Sequence, residues 1–241
     1  GEPILRLFRF EPPGITLGHG QQPFRELNLD RCRQHHVLWA SRPTGGRAIF
    51  HAEEWTYSFA APIADAQWGG TLSESYDRLA RVLVASLDRL GVPARLAGPA
   101  APERAAPSAR TAGEGSVAGV TRIPRRGRAV EASSPCFASA ARHEILRDSR
   151  KLVGSAQRRT SSALLQQGSL LLSDGHLRLA DFLAVSDVRR EEIRSALGAS
   201  SAHIGDLVGS LAPIERWADA LMEVMPVRRR VDGVGAWPLT D

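Results

Sequence analysis

The sequence predicts a single α/β domain of the α+β type, with a mixed β-sheet flanked by helices and a small helical C-terminal part. Short apolar runs separated by Pro and Gly fill the first 60 residues and are typical of strands. A long amphipathic helix follows them, and further strand-like runs precede a helical tail. The domain is expected to span residues 1–241.

The N-terminal part is predicted to be mostly strands. Residues 4–10 and 15–19 are extended apolar runs joined by a Pro-Pro-Gly turn, and a short polar helix is expected over 27–36. Further strands are predicted over residues 37–40, 48–51 and 55–59. Thr71 and Glu74 have the spacing of a capping box, which predicts a helix over 72–90 that Gly91 ends.

A long segment then interrupts the pattern. Residues 94–119 consist mainly of Ala, Pro, Gly, Ser and Arg, with hardly any large apolar side chain, so this stretch cannot contribute to a core. Residues 94–130 are therefore expected to be a flexible insertion into one domain.

The second half is predicted to return to strands and then to helices. Strands around tight turns are expected over residues 138–147, 164–172 and 177–179. The segment 186–241 is expected to be helical. It includes a helix over 188–197 that Gly198 ends and an amphipathic helix after Pro213, whose apolar face carries Ile214, Trp217, Leu221 and Met225.

Composition excludes several classes of protein. The apolar content of 43% and charged content of 24% are typical of globular proteins, and no apolar run approaches the roughly 20 residues of a membrane span. Since no signal peptide is visible, we expect a cytoplasmic protein that does not bind membranes. The net charge of +5 suits acidic partners, but the arginine clusters lack interleaved aromatic residues. An acidic carrier protein is therefore favoured over nucleic acid.

Two cysteines are available for chemistry. Without an export signal they are expected to be free thiols, and neither has metal-ligand neighbours at zinc spacing. Cys32 lies in a charged helical context and is expected to be structural. Cys136 follows a Ser-Ser-Pro segment and is a candidate nucleophile on a loop, although a small buried side chain is the alternative.

Lys151 is the only lysine among 31 basic residues. A lysine is a compact charge that can enter a narrow pocket or give up a proton, whereas a guanidinium cannot. A nearby ammonium can lower the pKa of a thiol, and each unit corresponds to about 1.4 kcal/mol. Lys151 is thus a candidate partner of Cys136. Chance survival in an arginine-biased composition remains the alternative.

Two segments rich in small residues complete the candidate site. The sequence Thr-Gly-Gly-Arg at 44–47 offers backbone N–H groups that could hold a carbonyl, a phosphate or an acyl chain, although paired glycines also form ordinary hairpin turns. The sequence Gly-Ser-Ala-Gln at 154–157 directly follows the Lys151 region and supplies further small residues and polar donors.

In this order, the motifs resemble those of the lipoate-protein ligase and octanoyltransferase superfamily. The resemblance covers about residues 4–180, and it rests on segments 42–51, 134–137 and 151–157, with Glu144 between the last two and a Gly-Ser-Leu motif at 168–170. The paired Cys136 and Lys151 are similar to its cysteine-and-lysine octanoyltransferase branch. The resemblance implies a biotin/lipoate protein ligase-like fold whose first strand and helix would precede residue 1.

The resemblance also implies a function. An octanoyl group would move from octanoyl-acyl carrier protein, through a thioester on Cys136, to a lysine of a lipoyl domain or a glycine-cleavage H-type protein, with Lys151 as the second catalytic residue. No cofactor or metal is implied. The implied substrate-binding residues are Arg42, Thr44, Gly45, Gly46, Arg47, His51, Gly154, Ser155, Ala156 and Gln157. The alternatives are an ATP-dependent lipoate-protein ligase and a non-catalytic acyl- or carrier-binding relative.

Overall fold

The computed structural model describes residues 1–98 and 144–225. The strands are β1 (Ile4–Phe8), β2 (Gly14–Leu17), β3 (Leu38–Ser41), β4 (Ile49–His51), β5 (Glu54–Pro62), β6 (Arg95–Leu96), β7 (Ile145–Arg147), β8 (Arg150–Arg159) and β9 (Ala163–Leu171). The helices are α1 (Pro23–Glu26), α2 (Leu29–Gln34), α3 (Leu72–Arg89), α4 (Leu179–Phe182), α5 (Asp187–Ser200), α6 (Gly205–Val208) and α7 (Glu215–Val224). A 3-10 helix spans Asp174–Arg178.

The strands form two sheets. The large sheet has the order β1-β5-β9-β8-β7-β6, and its described pairings are all antiparallel. The small sheet has the order β3-β2-β4, with β2 parallel to β3 and antiparallel to β4. The predicted α/β class with a large sheet and flanking helices is confirmed. The mixed parallel and antiparallel pairing lies in the small sheet. The consecutive strands β1 and β2 belong to different sheets and do not form a hairpin.

One core lies between the large sheet and helices α3 and α7. The predicted capping box is present: the Thr71 hydroxyl accepts from the Glu74 N–H, and the Glu74 side chain accepts from the Thr71 N–H. Helix α3 ends at Arg89, just before Gly91 at φ +72°. Trp217 of α7 is fully buried, stacks on Trp55 with ring centroids 5.9 Å apart, and donates its indole N–H to the Ser86 hydroxyl.

A second core lies between the small sheet and the helices α2, α4 and α5. Ile15, Leu17 and Phe50 of the small sheet contribute to it and are almost completely buried. Cys32 of α2 packs in this core at 2% exposure, and burial raises the pKa of its thiol. Each sheet thus packs against its own hydrophobic core.

Two local predictions are wrong. Residues 177–179 do not form a strand: the chain enters a 3-10 helix, because the Ser173 hydroxyl accepts from the Gly175 N–H and caps it, and α4 follows. Helix α5 also does not end at Gly198. It continues to Ser200, and the Ser201 N–H donates to the Leu197 carbonyl at its end; a glycine within a helix lowers its stability but does not by itself end it. The periodicity of a short apolar run cannot distinguish a strand from a helical turn.

Other expectations fall partly outside the described ranges. Residues 99–143 and 226–241 include Cys136 and most of the expected insertion. Of the predicted 138–147 strand, Ile145–Arg147 is described as β7. Among residues 1–98 and 144–225, no helix is long and apolar enough to cross a membrane.

Candidate active site

A cavity of about 50 Å³ lies where the small sheet meets strands β8 and β9. Its lining residues come from four strands and two loop positions: Phe10, Thr16, Arg42, Ile49, His51, Gly154, Ser155, Ala156, Gln167, Gly168 and Ser169. The cavity therefore gathers residues from both segments that the sequence analysis singled out, although these segments are more than 100 positions apart in the chain.

The loop after β3 is built around the guanidinium of Arg42. One terminal nitrogen donates to the Thr16 carbonyl at 3.0 Å and to the Thr16 hydroxyl at 3.1 Å. The other donates to the carbonyls of Gly45 at 3.0 Å and Arg47 at 2.7 Å. The planar fork of an arginine suits this role, since it holds two parts of a curved loop at once. Arg42 thus ties the loop to β2 at the cavity wall.

The remaining described residues of this loop support it and do not line the cavity. Thr44 is buried, and its carbonyl accepts from the His19 N–H at 3.0 Å. Gly46 has φ +94°, a conformation that favours glycine, and a Cβ on Gly18 would lie 2.0 Å from the Gly46 carbonyl oxygen. Gly45 and Arg47 contribute carbonyls to Arg42. Among the described residues that line the cavity, Arg42 is the one from this loop.

Small residues on β8 and β9 form the opposite wall. Gly154 pairs with Ser169, and Ser155 pairs with Gly168. A Cβ on Gly168 would lie 2.5 Å from the Tyr57 ring and 2.7 Å from the Gly154 carbonyl oxygen. Glycine at 168 is therefore required for the close approach of these strands. Ala156, whose side chain is also small, lines the same wall.

Two polar side chains of β8 form hydrogen bonds with neighbouring strands of the large sheet and with α3. The Ser155 hydroxyl is 2.8 Å from the Tyr57 hydroxyl, and burial raises the pKa of Tyr57 to about 12. Gln157 donates to Gln166 at 2.9 Å and accepts from Ser75 of α3 at 3.3 Å. Gln157 is thus engaged toward α3 and is not among the described lining residues of the cavity. Its predicted role in substrate binding remains a prediction.

His51 and Glu54 form a buried polar chain at the cavity. The His51 Nδ1 is 2.5 Å from Glu54 Oε1, and its Nε2 is 2.7 Å from the Thr16 hydroxyl. Glu54 Oε1 also accepts from the hydroxyls of Thr56 at 2.7 Å and Ser169 at 2.9 Å. The His51 ring stacks on Phe10 with centroids 3.9 Å apart. His51 is therefore fixed on both ring nitrogens and on one face.

Lys151 is buried on β8 at 4% exposure and forms an ion pair with Glu144. A bulge in the β7–β8 pairing places Lys151 opposite Leu146, and its carbonyl accepts from the Ala202 N–H at 2.9 Å. Lys151 precedes Gly154 of the cavity wall by three residues, about 10 Å along a strand. It is not among the described residues that line the cavity.

Cys136 lies outside the described residues, so its distance from Lys151 stays a prediction. Within residues 1–98 and 144–225, no three His, Cys, Asp or Glu side chains are grouped as metal ligands would be.

Sequence analysis missed Thr16 and Glu54 as site residues. Thr16 lies within an apolar strand, and its hydroxyl becomes informative only when His51 is placed beside it. Glu54 carries a signal that could have found it, because a carboxylate at the start of an otherwise buried strand needs partners. Ser169 is a third polar position that faces Glu54 from within an apolar strand.

Comparison with known proteins identifies relatives over most of the chain. An octanoyltransferase LipM of Kyrpidia tusciae is 32% identical over 222 residues, which cover 92% of this chain and 73% of that protein. An octanoyltransferase LipM of Moorella thermoacetica is 34% identical over 201 residues, which cover 83% of this chain and 64% of that protein.

Solved structures share the fold. A bipartite lipoate protein ligase of Thermoplasma acidophilum matches 98% of this chain and 76% of its own, with a TM-score of 0.68 and 19% identity. A lipoate-protein ligase A bound with ATP matches 98% of this chain and 77% of its own, with a TM-score of 0.61 and 21% identity. The family model of the lipoyl protein ligase A/B catalytic domain matches residues 1–225, and the chain belongs to this family.

Proposed function

We propose that this chain is an octanoyltransferase of protein lipoylation. It takes an octanoyl group from octanoyl-acyl carrier protein, holds it as a thioester on Cys136, and passes it to a lysine of a lipoyl domain or an H-type protein. The observation that carries this proposal is the similarity to octanoyltransferases at 27 to 34% identity over most of the chain.

A cysteine and a lysine are sufficient for the two chemical steps of this transfer. A Cys136 thiolate attacks the donor thioester, and the amine of the acceptor then attacks the acyl-enzyme. The Lys151 ammonium stabilises the thiolate in both steps. One thioester replaces another in the first step, and an amide replaces a thioester in the second, so the reaction needs no ATP.

The partners follow from charge and chemistry. A net charge of +5 favours encounter with acidic carrier domains. The cavity between the two glycine-containing walls provides the place for the acyl group, with Arg42 and His51 on one side and Gly154, Ser155 and Ala156 on the other. A cytoplasmic location, where both partners are synthesised, is part of the proposal.

Mass spectrometry of the intact protein tests the proposal. Incubation with octanoyl-acyl carrier protein, without ATP, is expected to add one octanoyl group that maps to Cys136. Cys136→Ser is expected to abolish the adduct. Cys32→Ser is the matched control, because Cys32 lies in the second core and away from the cavity lining. This variant is expected to be acylated like the wild type.

Two results would contradict the proposal. ATP-dependent acyl adenylation that survives Cys136→Ser would identify a lipoate-protein ligase. Binding of octanoyl-acyl carrier protein without acylation or turnover would identify a non-catalytic relative.

A further inference from the structure

Charge is distributed unevenly along the chain, and the segments that build the cavity are basic. Apart from Phe10, all residues that line the cavity fall in residues 12–25, 31–52 or 149–173. None of the 26 Asp and Glu residues lies in these three segments, whereas arginine occurs in each of them. The rest of the chain has more acidic than basic residues. The net charge of +5 therefore averages a strongly basic cavity region and a more acidic remainder.

Several exposed arginines of the helices pair with carboxylates. On α3, Arg81 binds Asp77 at 2.6 Å, and on α5, Arg189 binds Glu192 at 2.8 Å. A neighbouring carboxylate offsets the field of a guanidinium at longer range. These helical charges therefore contribute little to the attraction of an anionic partner.

Two arginines beside the cavity have no carboxylate partner among the described residues. Arg158 is exposed near the end of β8, two residues after Ala156 of the cavity wall, a distance of about 7 Å along a strand. One of its terminal nitrogens donates to the Pro43 carbonyl at 3.0 Å and lies 3.4 Å from Nδ1 of His19. Neither Arg158 nor Arg47 forms an ion pair within the part of the chain that the structure describes.

These two arginines flank the glycine loop, residues 42–47. Arg158 contacts the loop near its start, and Arg47 is its last residue. Both glycines between them are exposed, and without side chains they allow close approach of a partner. Arg42 connects the loop to the cavity, because it binds the Arg47 carbonyl at 2.7 Å and lines the cavity. We refer to Arg42, Arg47 and Arg158 as the cationic rim.

We propose that the cationic rim is the docking surface for the acyl donor, a carrier protein with an acidic surface around its acyl-bearing arm. This inference rests on the proposed octanoyltransferase function and names the residues that recognise its donor. A positive patch that faces a negative one steers the encounter and fixes the orientation of the partner. Because the rim adjoins the cavity, a carrier bound there presents its acyl chain to the cavity.

The donor fits the rim better than the acceptor does. An acyl carrier protein holds its acyl chain on a phosphopantetheine arm, so it brings a phosphate as well as surface carboxylates. Arginine binds phosphate through two parallel hydrogen bonds. The Nη2 and Nε atoms of Arg158 have no hydrogen-bond partner among the described residues and are available for such a contact. The acceptor lysine brings no phosphate.

Binding of holo-acyl carrier protein to the full chain, followed by fluorescence anisotropy, tests this assignment. The double variant Arg47→Gln with Arg158→Gln is expected to raise Kd by about 10-fold at low ionic strength, and this difference is expected to shrink as salt is added. Arg81→Gln with Arg189→Gln is the matched control. It removes the same net charge from side chains that are 70% and 44% exposed on α3 and α5, and it is expected to bind like the wild type.

Acylation by two donors separates docking from chemistry. Octanoylation is followed by mass spectrometry with octanoyl-acyl carrier protein and with octanoyl-N-acetylcysteamine, a small neutral thioester. In the double variant of the rim, the rate with the carrier is expected to fall at least about 10-fold more than the rate with the small thioester. Arg47→Lys with Arg158→Lys keeps both charges and is expected to restore most of the carrier binding. Melting temperatures identify a variant that fails to fold, and Arg158→Glu alone, at an exposed position, then decides.

The outcomes distinguish this assignment from the proposed function. If the rim variant and its control bind the carrier equally well, or if salt does not weaken wild-type binding, the cationic rim is not the docking surface. If the rim variant loses only the binding of a lipoyl domain, the rim serves the acceptor and the assignment to the donor is wrong. If wild-type protein binds the carrier through the rim but forms no acyl-enzyme, the docking surface stands and the proposed octanoyltransferase function fails.

Discussion

Two buried acid–base pairs lie near the cavity, and they differ in what surrounds the carboxylate. Glu144 pairs with the ammonium of Lys151, whereas Glu54 shares one oxygen among His51 and two hydroxyls. The first arrangement depends on a full positive charge, because a neutral amine would leave a buried anion poorly compensated. The second has two hydroxyl partners besides the imidazole, so it depends less on a single charged neighbour. The protein thus has one buried carboxylate held by an ion pair and one held mainly by a set of hydrogen bonds.

The largest effect is expected when the fixed charge is removed. Lys151→Met keeps the volume of the side chain but leaves Glu144 without its ammonium partner. The free energy of unfolding is expected to fall by about 3–5 kcal/mol. Denaturant unfolding measures this value. The double variant Glu144→Gln with Lys151→Met is the control and is expected to recover much of the loss. A decrease no greater than in an exposed pair would show that Lys151 is not held by its charge.

A smaller effect is expected at the other pair. Glu54→Gln keeps an oxygen that accepts from His51, Thr56 and Ser169, so it loses charge and not acceptors. The free energy of unfolding is expected to fall by about 1 kcal/mol, the difference between charged and neutral hydrogen bonds. The same denaturation experiment measures it. A loss as large as that of Lys151→Met would make the two pairs equivalent and would contradict the comparison.

The smallest effect is expected at a partly exposed ion pair on β7, the strand that contains Leu146. Arg147 of β7 binds Asp206 through two hydrogen bonds of 2.7 Å, and this hydrogen bonding lowers the pKa of Asp206 to about 2. Since the folded-state pKa lies below the ordinary value of 3.8, the stabilisation is present above pH 4 and is lost as the pH falls toward 2. The Asp206 side chain is 50% exposed, so solvent screens the pair.

Melting temperatures of wild type and Asp206→Asn check this expectation. The two are expected to differ slightly above pH 4 and to converge near pH 2. A difference that grows as the pH falls would have the wrong sign and would contradict the role of Arg147.

The sequence was sufficient where local rules decide the structure. Thr71 and Glu74 identify the start of α3, and the apolar spacing of Trp217 and Leu221 identifies the buried face of α7. It was insufficient where distant segments decide. The parallel pairing of β2 with β3 depends on two short helices that reverse the chain between them. No periodicity of the strands themselves reveals that choice.

The site shows the same division between local and distant determinants. Glu144 just before β7 pairs with Lys151 of β8, and His51 of β4 contacts Thr16 of β2; the spacing of these residues along the chain reveals neither contact. The glycine loop at 42–47 could be recognised by its residues. The contacts by which Arg42 attaches this loop to Thr16 of β2 could not, because the backbone partners of a side chain are set by the folded loop.

A pulse-chase experiment tests the central claim most directly. Wild-type protein is loaded with labelled octanoyl from its carrier, separated from the donor, and mixed with a lipoyl domain. The account predicts that the label first resides on Cys136 and then appears on the acceptor lysine at the rate at which it leaves the cysteine. Labelling of the acceptor lysine at full rate by a Cys136→Ser variant, without a cysteine-bound intermediate, would contradict it.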